Sequence, residues 1–505
     1  MGDIEESLTS KTVRGSFWSL SSNMISRAGA LIFTIILARF LLPEGFGIYS
    51  LATSIALIFL TFADLGINQT YIRFVSGSIN NKKLAKAYFS FIYRIKVYFT
   101  LGVTLALGLL SYPLSVYVFH KPELFFPLLL SSLFVLISSF EDFFESSFYI
   151  TNKVFYMNIK EFVFQVMRIS LSLLVFFLLV KTYQVSGVIV AVIISLLVSG
   201  LYVYYASRKV LPFLWDRSIK SNKIKINKKE VLSFLYYLSI GSLSGVFFSY
   251  IDTVMLGIFL ESEFVGFYKA AYTLVFGFVG ILTLQPVFLA IFSQSNKESL
   301  RNNFNRVLKY FLIILIPVSF GLIVVSDRVI SLVYGENYLA GVLLLKLMAF
   351  LIIPGTLNNL FLPVLASQNL YSIYAKGVIY STILNVVLNF VLIKYLLRYS
   401  EIWATAGAAI ATLISVYLYT MYLMYHLKKG ININYDWKAF VIPSFASLAM
   451  VLAVGYINPS LPNNLLSFVA LVLFGVLIYS ALLIMTKWVN LTEVKNILSL
   501  IIKKK

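Results

Sequence analysis

The chain has 505 residues, of which 60% are hydrophobic and 12% charged, and its formal net charge is +20. Soluble globular chains carry roughly 25% charged residues, so this composition excludes a soluble enzyme, a disordered chain and a disulfide-rich secreted domain. With no cysteine, thiolate chemistry is excluded, and with only two histidines, His120 and His426, about 300 residues apart, no zinc, haem or other cofactor is expected.

The expected fold class is an all-α polytopic membrane protein. Residues 1–15 are polar and acidic and lack the basic start and cleavage site of a signal peptide, so the first apolar run is expected to be retained. Apolar runs long enough to span a bilayer predict helices over 16–40, 45–75, 88–112, 124–151, 155–180 and 186–207. After a lysine-rich stretch, further helices are predicted over 231–259, 264–293, 304–325, 338–367, 370–395, 402–427, 437–457 and 465–485. The total is about 14, and an even count puts both termini on one side.

Charge decides which side. With the N-terminus inside, 28 of the 41 basic residues fall on or beside inner segments. Six fall in the outer loops: Arg39, Lys121, Lys181, Arg328, Lys394 and Arg398. This asymmetry predicts a multi-pass protein of the cytoplasmic membrane with both termini cytosolic. It also accounts for the basic charge without nucleic acid, because the excess is spread over many loops. The densest cluster, 207–230, and the terminal Lys503, Lys504 and Lys505 are expected to face anionic lipid headgroups.

The basic linker 211–230 separates an N-terminal lobe, 1–210, from a C-terminal lobe, 231–430, with 431–505 holding two extra helices and a basic tail. The lobes are related by a faint repeat. LLPEGFGIYSLA (41–52) aligns with LESEFVGFYKAA (260–271), with Leu41, Glu44, Gly47, Tyr49 and Ala52 recurring as Leu260, Glu263, Gly266, Tyr268 and Ala271. Both segments join the first helix of a lobe to its second. Repeats of six helices are parallel, related by an axis along the membrane normal.

The first 75 residues carry Arg27, then ILAR-LLPE-FG-Y (36–49), then FADLGI (62–67) and Arg73. In these features the chain resembles the polysaccharide-unit flippases of the multidrug/oligosaccharidyl-lipid/polysaccharide exporter superfamily. The resemblance implies two six-helix lobes around a V-shaped cavity, with an oligosaccharide on a polyprenyl (pyro)phosphate as cargo, moved by alternating access. It also implies Na⁺ or H⁺ as candidate coupling ions and a polysaccharide polymerase or glycosyltransferases as candidate neighbours.

Ionisable groups inside spans are expensive and mark cavities or partners. Arg27 and Asp64 lie roughly 18 Å and 16 Å from the inner ends of adjacent antiparallel spans, a shared depth at which they can pair. Asp64 stands open between a coupling carboxylate and a counter-ion. Lys269 and Lys346 are candidate cavity cations, and Asp252, near Lys269 in depth, is its candidate charge partner. Glu141, Asp142, Glu145 and Arg168 lie in the inner third; packing ion pairs or, for Arg168, a cavity cation both fit. Arg73, Arg94 and Lys96 are expected to snorkel to the inner headgroups. A cavity cation suits a phosphate, and arginine can offer two donors at once.

A peptidoglycan-precursor (lipid II) flippase is an alternative within the same superfamily, and a cation-coupled multidrug or metabolite exporter is another. The latter calls for acidic or neutral walls, which Arg27, Lys269 and Lys346 oppose. A membrane polymerase or glycosyltransferase needs a sizeable outer loop with acid–base groups, and the outer loops here are short. No GxxxxGK[ST] is present. The chain is expected to be a carrier and not an enzyme.

Overall fold

A computed structural model describes residues 2–219, 224–281, 288, 292, 296–368, 370–433 and 435–488. The terminal lysines, residues 220–223 of the basic linker and most of the last part of the predicted 264–293 span lie outside the described residues. Among the described residues the chain is helical, with no strand. The helices are α1 (Gly2–Asp64), α2 (Ile67–Gly77), α3 (Lys82–Pro113), α4 (Phe125–Ile150), α5 (Phe155–Leu178), α6 (Lys181–Val210), the short α7 (Pro212–Trp215), α8 (Lys228–Phe259) and α9 (Ser262–Ile281). They continue as α10 (Lys297–Val324), α11 (Ser326–Val333), α12 (Val342–Ala349), α13 (Ile352–Ser367), α14 (Tyr371–Leu396), α15 (Glu401–Ile431), α16 (Lys438–Ile457) and α17 (Leu465–Met485).

The protein is a multi-pass membrane protein. By length and apolarity alone, ten of the described helical runs can cross a bilayer, or up to eleven with one bent pair counted as a span. Two predicted boundaries need correction. Spans 16–40 and 45–75, which together make up most of α1 and α2, are parted within the LLPEG turn as expected, by the non-helical Leu42 (φ 59°, ψ 174°) just before Pro43. Proline has no amide proton and crowds the preceding turn, so the helix breaks there. The second span is broken again inside FADLGI, at Leu65 and Gly66, both with positive φ. The predicted 338–367 span is two helices bent by 44° at Phe350–Leu351.

The chain divides into two compact units, Met1–Lys269 with Val378–Ala408, and Ala270–Gly377 with Ala409–Lys505. In the first, α4, α5 and α6 pack together and α1 lies against α4 and α5. In lipid the hydrophobic effect does not draw helices together, so close packing and hydrogen bonds between helices must. Thr100 and Ser139 bond across α3 and α4 at 2.8 Å, and Tyr71 bonds Ser147 across α2 and α4 at 2.9 Å. Around Tyr71, an aromatic core of Phe89, Phe143 and Phe148 is almost wholly buried, with Tyr71 stacked on Phe143 at 4.6 Å. Trp215 of α7 packs edge-on to Phe89, and Arg208 lies over its ring, so the start of the basic linker is pinned to this core.

In the second unit α10 packs on α16, and α16 on α17. Arg328 of α11, assigned to an outer loop from the sequence, is a buried staple. Its guanidinium donates to the carbonyls of Pro462 (2.6 Å) and Leu461 (2.7 Å) and to both the side chain and the carbonyl of Asn458. These groups cap the turn between α16 and α17. Arg328→Ala leaves that turn's carbonyls without donors, each worth roughly 1–3 kcal/mol when buried. The variant is expected to unfold at a clearly lower temperature in detergent, with Arg328→Lys in between; an unchanged transition would show the turn holds itself.

Candidate functional site

The break in the second span builds the first charged locus. Where a helix is interrupted, carbonyls of the turn before it lose their amide partners. Here Asn68 N donates to the Asp64 carboxylate (3.1 Å), and Lys96 Nζ, from α3, reaches both the Ala63 carbonyl and Asp64, each at 3.4 Å. The Lys96 side chain has no exposure and that of Asp64 has 23%. The snorkelling expected of Lys96 is therefore not what the structure shows: the lysine turns inward, because the broken helix offers it a carbonyl and a carboxylate. Gly66, with φ 84°, is required at the break, since a Cβ there would press on Leu238 of α8. Arg73 lies over the Phe234 ring at 4.2 Å, and Arg94 is exposed.

A second locus joins α4, α5 and α6. Lys160 Nζ sits 2.8 Å from Glu145, 3.5 Å from Glu161 and 3.9 Å from Glu141. Ser199 donates to Glu141 at 2.7 Å, and Gln165 donates to Glu161 at 2.5 Å. This is the packing network anticipated for the α4 acids, but its cation is Lys160. Neither Lys160 nor Glu161 was singled out in the sequence, where both sit at the start of a span and look interfacial. The signal available was the i, i+4 pair Glu161 and Gln165, polar on an otherwise apolar helix.

Arg168, two turns along α5 from Glu161, feels that carboxylate's charge but makes no ion pair with it. Its guanidinium lies between the rings of Phe33 (4.4 Å) and Phe164 (4.9 Å). Its Nε and Nη2 are buried and have no hydrogen-bond partner. These two donors share one edge of the planar guanidinium, the edge that grips two oxygens of one anion.

A third locus holds Asp252 on α8, 4% exposed. It accepts from Tyr268 Oη (2.6 Å) on α9 and from Asn389 Nδ2 (2.6 Å) on α14. Asn389 Nδ2 also reaches the Asn385 carbonyl at 2.9 Å, while Asn389 Oδ1 is buried without a hydrogen-bond partner. The two asparagines, one turn apart in a span, were legible as a polar stripe but were not read so. Lys269, next to Tyr268, is half-buried with its ammonium 5.5 Å from the centre of the Tyr250 ring. Arg27 is exposed on α1. These residues all belong to the first unit; Lys346, exposed on α12, belongs to the second.

The second unit also holds a cavity of about 670 Å³ between α10, α11, α16 and α17, with Phe278, Pro317, Val325, Met450, Phe468 and Tyr479 in its wall. No charged side chain lines it, so it offers nothing to a phosphate. Among the described residues no group of three or more His, Asp or Glu is placed to hold a metal.

Comparison with known proteins gives the family and the fold. A low-salt glycan protein of Haloferax volcanii, named "Probable low-salt glycan biosynthesis flippase Agl15", is 24% identical over 302 residues, which are 58% of this chain and 62% of that protein. The chain thus spans less than two thirds of that relative's length. A membrane protein encoded in the cps region of Klebsiella pneumoniae is 25% identical over 464 residues, covering 88% of this chain and 89% of its own. Among solved structures, the lipid II flippase MurJ in an inward closed conformation has the same fold, with a TM-score of 0.68 at 17% identity over 93% of this chain and 99% of that one. An inward-facing multidrug resistance transporter of the MATE family superposes with a TM-score of 0.58 at 14% identity, over 82% and 99%. Residues 12–292, more than half of the chain and all of the segment holding Arg27, Asp64, Arg168, Asp252 and Lys269, match the family described as "Polysaccharide biosynthesis protein", and the chain belongs to that family.

Proposed function

We propose that this protein is a flippase that carries an oligosaccharide on a polyprenyl (pyro)phosphate across the cytoplasmic membrane by alternating access, for cell-surface polysaccharide assembly. The observation that carries this reading is the open edge of Arg168. Burying two N–H donors without acceptors costs roughly 1–3 kcal/mol each. A phosphate offsets that cost with two charge-assisted bonds, and the Phe33 and Phe164 rings hold the fork flat to receive it. Arg27, Lys269 and Lys346 are the further cations assigned to the path of the head, and the two repeats, 1–210 and 231–430, are the parts that move. Asp252, with the neutral oxygen of Asn389 beside it, and Asp64 are assigned to coupling with Na⁺ or H⁺. The termini and the basic linker face the cytosol and its anionic lipids, and a polymerase or glycosyltransferases act on either side of the step.

The test is transport in vesicles that hold the purified protein. A labelled oligosaccharide on polyprenyl pyrophosphate should cross, and the same glycan on an uncharged lipid should not. Lys269→Ala should lower the rate at least ten-fold without altering insertion. Equal transport of the uncharged lipid overturns the role of the cations, and transport of lipid II alone moves the assignment to the peptidoglycan precursor.

A further inference from the structure

The two copies of the repeated segment meet each other, and they do so reciprocally. A Cβ placed on Gly47 would run into the carbonyl of Ser262, and a Cβ placed on Gly266 would run into the carbonyl of Pro43. In the alignment of 41–52 with 260–271, Gly47 corresponds to Gly266 and Pro43 to Ser262. Each turn therefore lays its glycine on the backbone of the other, as in an isologous contact between identical subunits. One turn away, Gly257 faces Leu51 closely enough that a Cβ would lie 2.6 Å from its methyl.

Lys121, between α3 and α4, closes this seam from the side. It is 6% exposed, and its ammonium donates to the carbonyls of Leu260 (2.8 Å) and Gly257 (2.9 Å) at the C-terminal end of α8. A cation is favoured there by the helix dipole and by carbonyls that have no amide partner. Burial holds this ammonium below the usual lysine range, against the pull of Glu261, Glu123 and Glu401. Glu261 N in turn donates to the Glu401 carboxylate at 3.1 Å, bringing the start of α15 to the same turn.

We propose that this seam is the outer gate of the transport cycle, with Gly47 and Gly266 as its bearing surfaces and Lys121 as its latch. The proposal rests on the flippase reading and on the cytosolic placement of the N-terminus. A permanent core interlocks large side chains, and parting it opens voids. This seam has backbone on backbone, where Cα–H···O contacts are each worth only about 0.5–1 kcal/mol. Beside it stands a lysine held by carbonyls, and that lysine returns to water when the turns part. Nothing in the repeat requires glycine at both positions except the reciprocal approach itself.

The chain has no cysteine, so single cysteines report without a background. Ser54, on α1 beyond Gly47 and 1% exposed, is replaced by cysteine, and its labelling by an impermeant maleimide from outside is followed in vesicles. Gly47→Ala, Gly266→Ala and Lys121→Met should each raise the labelling rate at least ten-fold and abolish transport, while Lys121→Arg should label and transport like the parent. Unchanged labelling in Gly47→Ala and Lys121→Met overturns the gate, as does faster labelling with transport intact. Should a glycine variant fail to insert, Lys121→Met decides, because it removes the ammonium from a loop side chain without adding bulk. Labelling needs no cargo, so failure of the parent protein to carry the glycan, with faster labelling in the variants, would count against the flippase reading and leave the gate standing.

Discussion

Arg168→Ala is expected to abolish transport while making the protein no less stable. Two charge-assisted bonds to a phosphate, at roughly 1.5–3 kcal/mol each, correspond to a loss on the order of a hundred-fold or more. Stability should hold or rise, because the change removes two buried donors that have no acceptor. Arg168→Met sharpens the point by filling the slot between Phe33 and Phe164 with an apolar chain of similar length. If Arg168 only packs between these rings, the methionine variant transports normally and melts higher. If it grips the cargo, that variant melts higher and transports nothing. Arg168→Lys should keep a fraction of the rate, since an ammonium supplies the charge without the fork. Rate and melting temperature measured on the same preparations separate the two outcomes.

What was legible in the sequence followed how local the cause is. Pro43 marks the first interruption of α1 because a proline acts on its own turn. The repeat of Gly47 as Gly266 was visible as two matched letters, and the structure shows the physical reason for the match. By contrast, hydropathy passes straight through FADLGI, since Leu65 and Gly66 are as apolar as a helix requires; only their positive φ reveals the break. Lys96 was misplaced for the same reason. Depth counted along α3 puts it near the headgroups, while its partners are carbonyls freed on a neighbouring helix. The Lys160 network could not be assembled from spacing along one helix, because its acids come from α4 and α5 and its serine from α6. The bend at Phe350–Leu351 had a local signal in Pro354, which has no N–H for the Phe350 carbonyl, but hydropathy alone reads through it as one span.

The Asp64–Lys96 pair should separate structure from coupling in a double-mutant cycle. Asp64→Asn keeps an oxygen for Asn68 N but strands the Lys96 ammonium, which has no exposure. Removing one member of a buried pair costs about 3–5 kcal/mol, so this variant should insert poorly or melt early. Lys96→Met should cost less, because the Asp64 side chain keeps 23% exposure, although the Ala63 carbonyl also loses its donor. The double variant leaves no stranded charge, and its stability should recover most of what the first lost. Transport then decides the role of the carboxylate. If the pair only holds the broken span together, the double variant transports and still responds to an imposed Na⁺ or H⁺ gradient. If Asp64 carries the coupling ion, the double variant is stable and its transport is indifferent to either gradient. Arg27→Gln made in the same background tests the pairing anticipated from depth: with Asp64 held by Lys96, it should leave stability unchanged and act on transport alone.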